Sequence, residues 1–264
     1  MTGGYAHGPL NCRACFGPTE QILVLGDWHL QNNPGYYGSD APQILVLGFS
    51  KGANQKKVAK DGDFDKIAFA KARHRLEKVL ATLHVMPADR GIDAIMTANE
   101  KKFGVASLVR CSFCKMKGGT CKTSGDVIPS AFANDTTLQI IERCASRYLG
   151  TLPKSVRLVV LLGTADSYIA KTKVIFSKLH RDFEPVNPVA FRAGGALWIY
   201  AAHPSPGNGH FESWVSAGLE SPSGKKRIFA LHALDHAQPS LRGDRREAAL
   251  LGSPSASPPG NPSS

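Results

Sequence analysis

The chain has 264 residues, 42% of them hydrophobic and 20% charged, enough apolar material for one sizeable globular core. Lys and Arg number 32 against 21 Asp and Glu, and the resulting formal charge of +11 draws polyanions, making nucleic acid the leading candidate partner. No run approaches the apolar length of a membrane span, and the N-terminus MTGGYAHGPLNC lacks the regions of a secretory leader, so a membrane role is excluded and a cytoplasmic protein is expected.

Along the chain, residues 11–16 read as a loop carrying a Cys-x-x-Cys pair, Cys12 and Cys15. In a reducing compartment the six cysteines are not expected to form structural disulfides, so clustered ones point to metal, cluster or catalysis. Residues 22–25 and 44–47 are short apolar runs bounded by Gly or Pro, as buried strands are. Each lies in a QILVLG hexamer, but the segments that follow differ, and two short apolar strands resemble each other easily without a true repeat.

Residues 65–83 place Ile67, Ala70, Val79, Leu80 and Leu83 near one helical face. Residues 110–124 read as a loop, and residues 136–149 as a second helix carrying Leu138, Ile141, Ala145 and Leu149. Residues 158–162 and 197–201 are again buried-strand runs, expected to share a parallel sheet with 44–47, and 204–214 read as a loop. Strands alternating with helices indicate an α/β layered fold. From Gln238 the chain turns to Pro, Ser, Gly and Arg, and this tail, 238–264, is expected to stay disordered outside a folded domain of residues 1–237.

Two segments carry candidate chemistry. In ILVLGFSKGANQ a buried strand runs into a loop with Gly48 and Gly52, at the carboxyl end where open parallel sheets place ligands, although a glycine after a strand is ordinarily only a turn. In WIYAAHPSPGNGHFESW a strand ends in His203-Pro204-Ser205-Pro206, where two prolines stiffen the loop, the imidazole is offered at the strand end, and Ser205 can hydrogen-bond a phosphate.

His-Pro-Ser-Pro followed by Gly207-Asn208 and a nearby Trp214 resembles the second catalytic motif of the uracil-DNA glycosylase superfamily. Asn11-Cys12-Arg13-Ala14-Cys15 is similar to the N-terminal Cys-x-x-Cys of its iron-sulfur branch, and ILVLGFSKG falls where that branch has its first motif. Leu108-Val109-Arg110-Cys111 resembles its Val-Lys-Cys segment, Ile141-Glu142-Arg143-Cys144 its helical fourth cysteine, and LVVLLGTADSYI its next strand, Gly and helix.

The resemblance implies a three-layer αβα domain around a mainly parallel four-stranded sheet. It also implies a monomeric DNA glycosylase that flips out a deaminated base and hydrolyses its N-glycosidic bond in base excision repair. Cys12, Cys15, Cys111 and Cys144 would ligate a [4Fe-4S] cluster; the alternative is zinc at a site including Cys114 or Cys121, since CSFCKMKGGTC also has ligand-like spacing. His203 would stabilise charge on the departing base, Ser205 and Asn208 would serve substrate binding, and Gly48, Phe49 and Gly52 would shape the pocket.

The sequence departs from that pattern in three places. The first motif of the family holds the attacking water with a carboxylate or Asn, whereas Phe49-Ser50-Lys51 offers only Ser50, which can orient water but not take a proton near neutral pH. Asp61, Asp63 or Asp65 would substitute, or be solvated loop acids or a helix cap. The base-reading Asn is replaced by Ser107, whose hydroxyl discriminates less, so hypoxanthine or xanthine is expected beside or instead of uracil; Asn54 and Asn99 are the other candidate readers.

Phe64 is either the ring on which the base stacks or a core phenylalanine. The segment 111–130, with Lys115, Lys117 and Lys122, is similar to the basic insertion of relatives that crosslink to abasic sites, with Cys121-Lys122-Thr123 standing where those have His-Lys-Thr. Cys121 is then a nucleophile, a ligand or a bystander. The competing function is accordingly a lesion-binding or crosslinking protein with little turnover.

Overall fold

The computed structural model describes residues 4–52, 63–86, 89–123 and 127–237. Within them, strands β1 (Gly8–Pro9), β2 (Ile22–Leu25), β3 (Trp28–Gln31), β4 (Gly35–Gly38) and β5 (Ile44–Lys51) precede helix α1 (Arg73–Thr82). Strands β6 (Phe103–Lys117) and β7 (Thr120–Lys122) lead into α2 (Val127–Ala133) and α3 (Asp135–Leu149). The chain continues through β8 (Leu158–Leu162), α4 (Asp166–Leu179), β9 (Glu184–Asn187), β10 (Ala190–Ala193), β11 (Ala196–Ala201), α5 (Phe211–Ser216) and α6 (Pro222–Ala237).

The result is a mixed α/β fold on one eleven-stranded sheet, not a four-stranded one. Its centre runs β6-β5-β8-β11, and those four neighbours are parallel, with Ile44 level with both Phe103 and Leu158, and Leu158 level with Leu197. The remaining strands pair antiparallel: β1, β4, β3, β2 and β7 extend the β6 side, and β10 and β9 the β11 side. The central runs ILVL, LVVLL and ALWIYA are buried at every position, as strands covered on both faces must be.

Side-chain alternation places the helices. Phe49 of β5 meets Phe132 of α2 and Tyr168 of α4, and Trp198 and Tyr200 of β11 meet Phe176 and Tyr168 of α4. Gly48, one residue earlier, points the other way, toward Phe69 and the start of α1. Helix α1 packs on α5 and α5 on α6, while α2, α3 and α4 pack on one another. In chain order the parallel strands are laid down 2-1-3-4, so the winding direction reverses between β5 and β8, the position where such sheets open a crevice beyond the strand ends.

Several expectations change. The run 22–25 is a strand but not a buried one: Ile22 and Val24 are 47% and 55% exposed on the sheet's margin. The predicted helix 65–83 forms only over Arg73–Thr82, because Phe69 adopts φ +53°, a left-handed conformation that interrupts a helical path. The predicted loop 110–124 is the second half of β6 and the hairpin strand β7, and 204–214 becomes helical at Phe211. Cys114 and Cys121 face each other across that hairpin, Cα atoms 5.5 Å apart, and form a disulfide, contrary to the expectation of none.

No helix among the described residues is long and apolar enough to cross a membrane. The segment 238–264 and the candidates Asp61 and Asn54 lie outside the described residues.

Candidate functional site

The three central strands β5, β8 and β11 end on one edge, and β5 and β11 deliver the sequence motifs there. Gly48 is level with Ser107 of β6; a side chain at Gly48 would come within 3.7 Å of the Ser107 hydroxyl and 3.6 Å of the Phe69 ring. Ser107 is 8% exposed, so its hydroxyl borders a space shut from bulk water. Phe69 is also 6.3 Å from the imidazole of His203, so Gly48, Ser107, Phe69 and His203 share one crevice on the α1 face.

His203 is held in one tautomer. The backbone N–H of Ser205 donates to Nδ1 at 3.1 Å, so in the neutral ring the proton sits on Nε2, leaving that atom as a donor. Burial, and secondly the Arg75 guanidinium, push its pKa down to about 4, so the ring is neutral at physiological pH. Arg75 lies 3.9 Å over the Phe211 ring and donates to the Asn208 carbonyl at 3.5 Å.

The loop after His203 is braced internally. The Asn208 amide donates to the His203 carbonyl at 2.8 Å and accepts from the His210 N–H at 3.1 Å, and the Ser205 hydroxyl accepts from the Gly207 N–H at 3.4 Å. Asn208 therefore shapes the loop, and Ser205 keeps its hydroxyl proton for a ligand. Ser50 donates to the Phe113 carbonyl at 3.4 Å. Gly52 has open space where a side chain would be, whereas the Phe49 ring is core, 4% exposed, so only its backbone faces a ligand.

The other candidates are occupied elsewhere. Phe64 is stacked on Tyr37, centroids 4.3 Å apart at 16°, while Phe69, which nothing in the sequence singles out, stands beside His203. Asp63 caps the 3-10 turn Phe64–Lys66 by accepting from the Asp65 N–H, and Asp65 pairs with His7 at 2.9 Å. Asn99 is an exposed turn residue.

A second centre lies under the N-terminal loop. Cys12 and Cys15 from that loop, Cys111 from β6 and Cys144 from α3 line one small cavity, with Arg110 and Tyr148. Burial pushes the thiols of Cys15, Cys111 and Cys144 up, Cys111 to about 12 and Cys144 to about 11, so a metal would have to displace protons to bind. Among the described residues no three His, Cys, Asp or Glu side chains converge to hold a single ion. Cys114 and Cys121, bonded to each other, are not free to join a zinc site.

Arg110 makes this cavity chemically specific. It is 1% exposed, its guanidinium lies 5.0 to 5.8 Å from the rings of Tyr5, Tyr36 and Tyr148, and its three side-chain nitrogens find no hydrogen-bond partner among the described residues. A buried cation without a partner is costly, and an anionic occupant would relieve that cost.

Lys51 terminates β5 at an irregularity where Ser50 pairs with Val109 but Lys51 with Ser112. It is 7% exposed, donates from Nζ to the Asn33 carbonyl at 2.6 Å, and burial holds its pKa at about 8. The Asn33 amide is itself fixed, accepting from the Ser112 N–H at 2.8 Å and donating to the Ser112 hydroxyl at 2.9 Å. No family model matches the chain, and no curated protein matches it.

Proposed function

We propose that the protein is a monofunctional DNA glycosylase with the three-layer architecture of the uracil-DNA glycosylase superfamily, hydrolysing the bond between deoxyribose and a deaminated base. The observation that carries this reading is His203: a neutral imidazole with its Nε2 proton presented at the switch-point edge, in one crevice with Ser107, Gly48 and Phe69. Breaking the C1′–N bond sends its electron pair into the base, and a preformed neutral donor in a buried site stabilises that anion without first losing a proton. Arg75 adds positive potential. Water then adds to C1′ and its proton leaves to solvent or the departed base.

Because the sugar cation forms before water bonds to it, orientation by Ser50 serves where a carboxylate is lacking. Phe69 supplies a ring on which an extruded base can stack, and its left-handed backbone is the sort of strain that persists where geometry is over-determined by function.

Cys12, Cys15, Cys111 and Cys144 would hold a [4Fe-4S] cluster, and the donor set fits it. Four cysteines lining one cavity without converging on a single point would suit the four-thiolate shell of such a cluster better than the shell of one zinc ion. Four thiolates also make the group anionic, matching Arg110. When bound, the cluster supplies a cross-link between the N-terminal loop, β6 and α3, and a redox-active centre.

The test is a panel of oligonucleotides carrying uracil, hypoxanthine, xanthine or an abasic site, scored for free base. We expect release of at least one base, with less than about a hundredfold preference between uracil and hypoxanthine, because a hydroxyl at Ser107 can donate or accept. Ser107→Asn should move preference toward uracil. Absence of base release from every substrate would end the glycosylase reading.

A further inference from the structure

The excision chemistry leaves Lys51 unemployed, yet it is the most deeply buried lysine among the described residues, 93% shielded from water. Its amine meets one carbonyl, that of Asn33, and no carboxylate pairs with it among the described residues. Lys51 lines a cavity of about 200 Å³ bounded by His29, Ser112, Cys114, Cys121 and Thr123. The β6–β7 hairpin closes one side of this cavity with Cys114, Met116, Cys121 and Thr123, while Lys115 and Lys122, paired with each other, lie on its opposite face.

The cavity also lies close to the proposed excision site. Lys51 is three residues beyond Gly48 on one strand, a separation of about 10 Å. Removal of a base leaves a deoxyribose whose open form is an aldehyde at C1′. A buried primary amine on a residue that lines a cavity is a group suited to condense with an aldehyde.

We propose that Lys51 is the nucleophile of a second site, which captures the C1′ aldehyde of an abasic deoxyribose as an imine; this rests on the reading of the protein as a DNA lesion enzyme. The Nζ lone pair attacks C1′, the C1′–N bond forms, and the carbonyl oxygen departs as water carrying, in net, both protons of the amine. No oxidant or reductant is consumed, and hydrolysis reverses the step. Burial supports the chemistry, since a pKa of about 8 leaves a neutral amine fraction near pH 7.5. The consequence is a protein that holds the product of its own excision.

The experiment incubates the full chain with a labelled oligonucleotide bearing one abasic site, adds sodium borohydride, and maps any covalent adduct by peptide mass spectrometry. The expected result is a reduced secondary amine on Lys51. Lys51→Arg, which keeps the charge but lacks a condensing amine, should lower trapped product on the order of tenfold or more, with melting temperature and gel shift retained. Should that variant misfold, the wild-type adduct map still decides the residue. An adduct on another side chain, or a gel shift of abasic DNA without trappable product, overturns Lys51 as nucleophile and leaves the lesion reading standing. Neither base release nor binding of abasic DNA by the wild type would defeat the lesion reading and this proposal together.

Discussion

At the scale of the residue, His203 differs from an ordinary buried histidine in having one nitrogen committed and the other presented. Nδ1 accepts from Ser205, and Asn208 locks the carbonyl behind it, so the ring cannot turn without breaking the loop. His203→Ala should cut single-turnover base excision on the order of a hundredfold with DNA affinity little changed, because its hydrogen bond matters chiefly once charge develops on the base. Equal losses of rate and affinity would reassign it to structure, and Ser50→Ala should cost less.

The pH dependence follows with its sign. The folded pKa is lowered from 6.5 to about 4, so the neutral ring and the stability tied to it are fully present above pH 6.5 and are lost as pH falls toward 4. Excision rates should therefore run flat from pH 8 through 6 and fall only near 4 to 5, and a midpoint at 6.5 would show an imidazole that titrates freely. His203 and Ser107 were legible because each sits in a short motif beside a strand end. Phe69 and Lys51 were not, since one depends on a positive φ and the other on a strand irregularity that turns a loop-like lysine inward.

At the scale of the element, the cysteine cavity ties a loop with little regular structure to a strand and a helix. Arg143 reaches from α3 to the Ala14 carbonyl at 3.1 Å, and the Arg110 N–H donates to the Cys144 sulfur at 3.3 Å, so the three pieces meet through their own groups. The grouping of distant cysteines was legible only through the resemblance of their segments to an iron-sulfur family, and α3 from its apolar period. The length of β6 was not, because Arg110, Ser112 and Lys115 look like loop residues until the aromatic cage around Arg110 is known. Cys144→Ala should abolish iron binding and visible absorption and lower soluble yield. Arg110→Met leaves every thiol in place yet should reduce iron per chain several-fold if the occupant is an anion. Undiminished iron in that variant would remove the charge argument, and zinc without iron in protein prepared anaerobically would replace the cluster.

At the scale of the whole molecule, the parallel centre was legible because β5, β8 and β11 are continuous apolar runs, while the antiparallel wings were not, because strands such as Gly8–Pro9, Gly35–Gly38 and Glu184–Asn187 carry no such run. The hairpin that sets Lys115 and Lys122 side by side belongs to that unforeseen part, and it adds a pair of cations to the basic balance of +11. Counterion release makes the consequence measurable: the logarithm of DNA affinity should fall linearly with the logarithm of salt concentration, each lost phosphate contact reducing the slope by about 0.9 on duplex DNA. Lys115→Ala with Lys122→Ala should flatten that slope by about 1 to 2 and weaken binding alike for damaged and undamaged duplexes, since phosphate contacts carry no base information. Saturating excision rates should stay as they were, because these lysines lie outside the His203 crevice. A double variant with an unchanged salt slope would show that DNA follows another face, and one that lost discrimination between damaged and undamaged DNA would place the hairpin in base recognition instead.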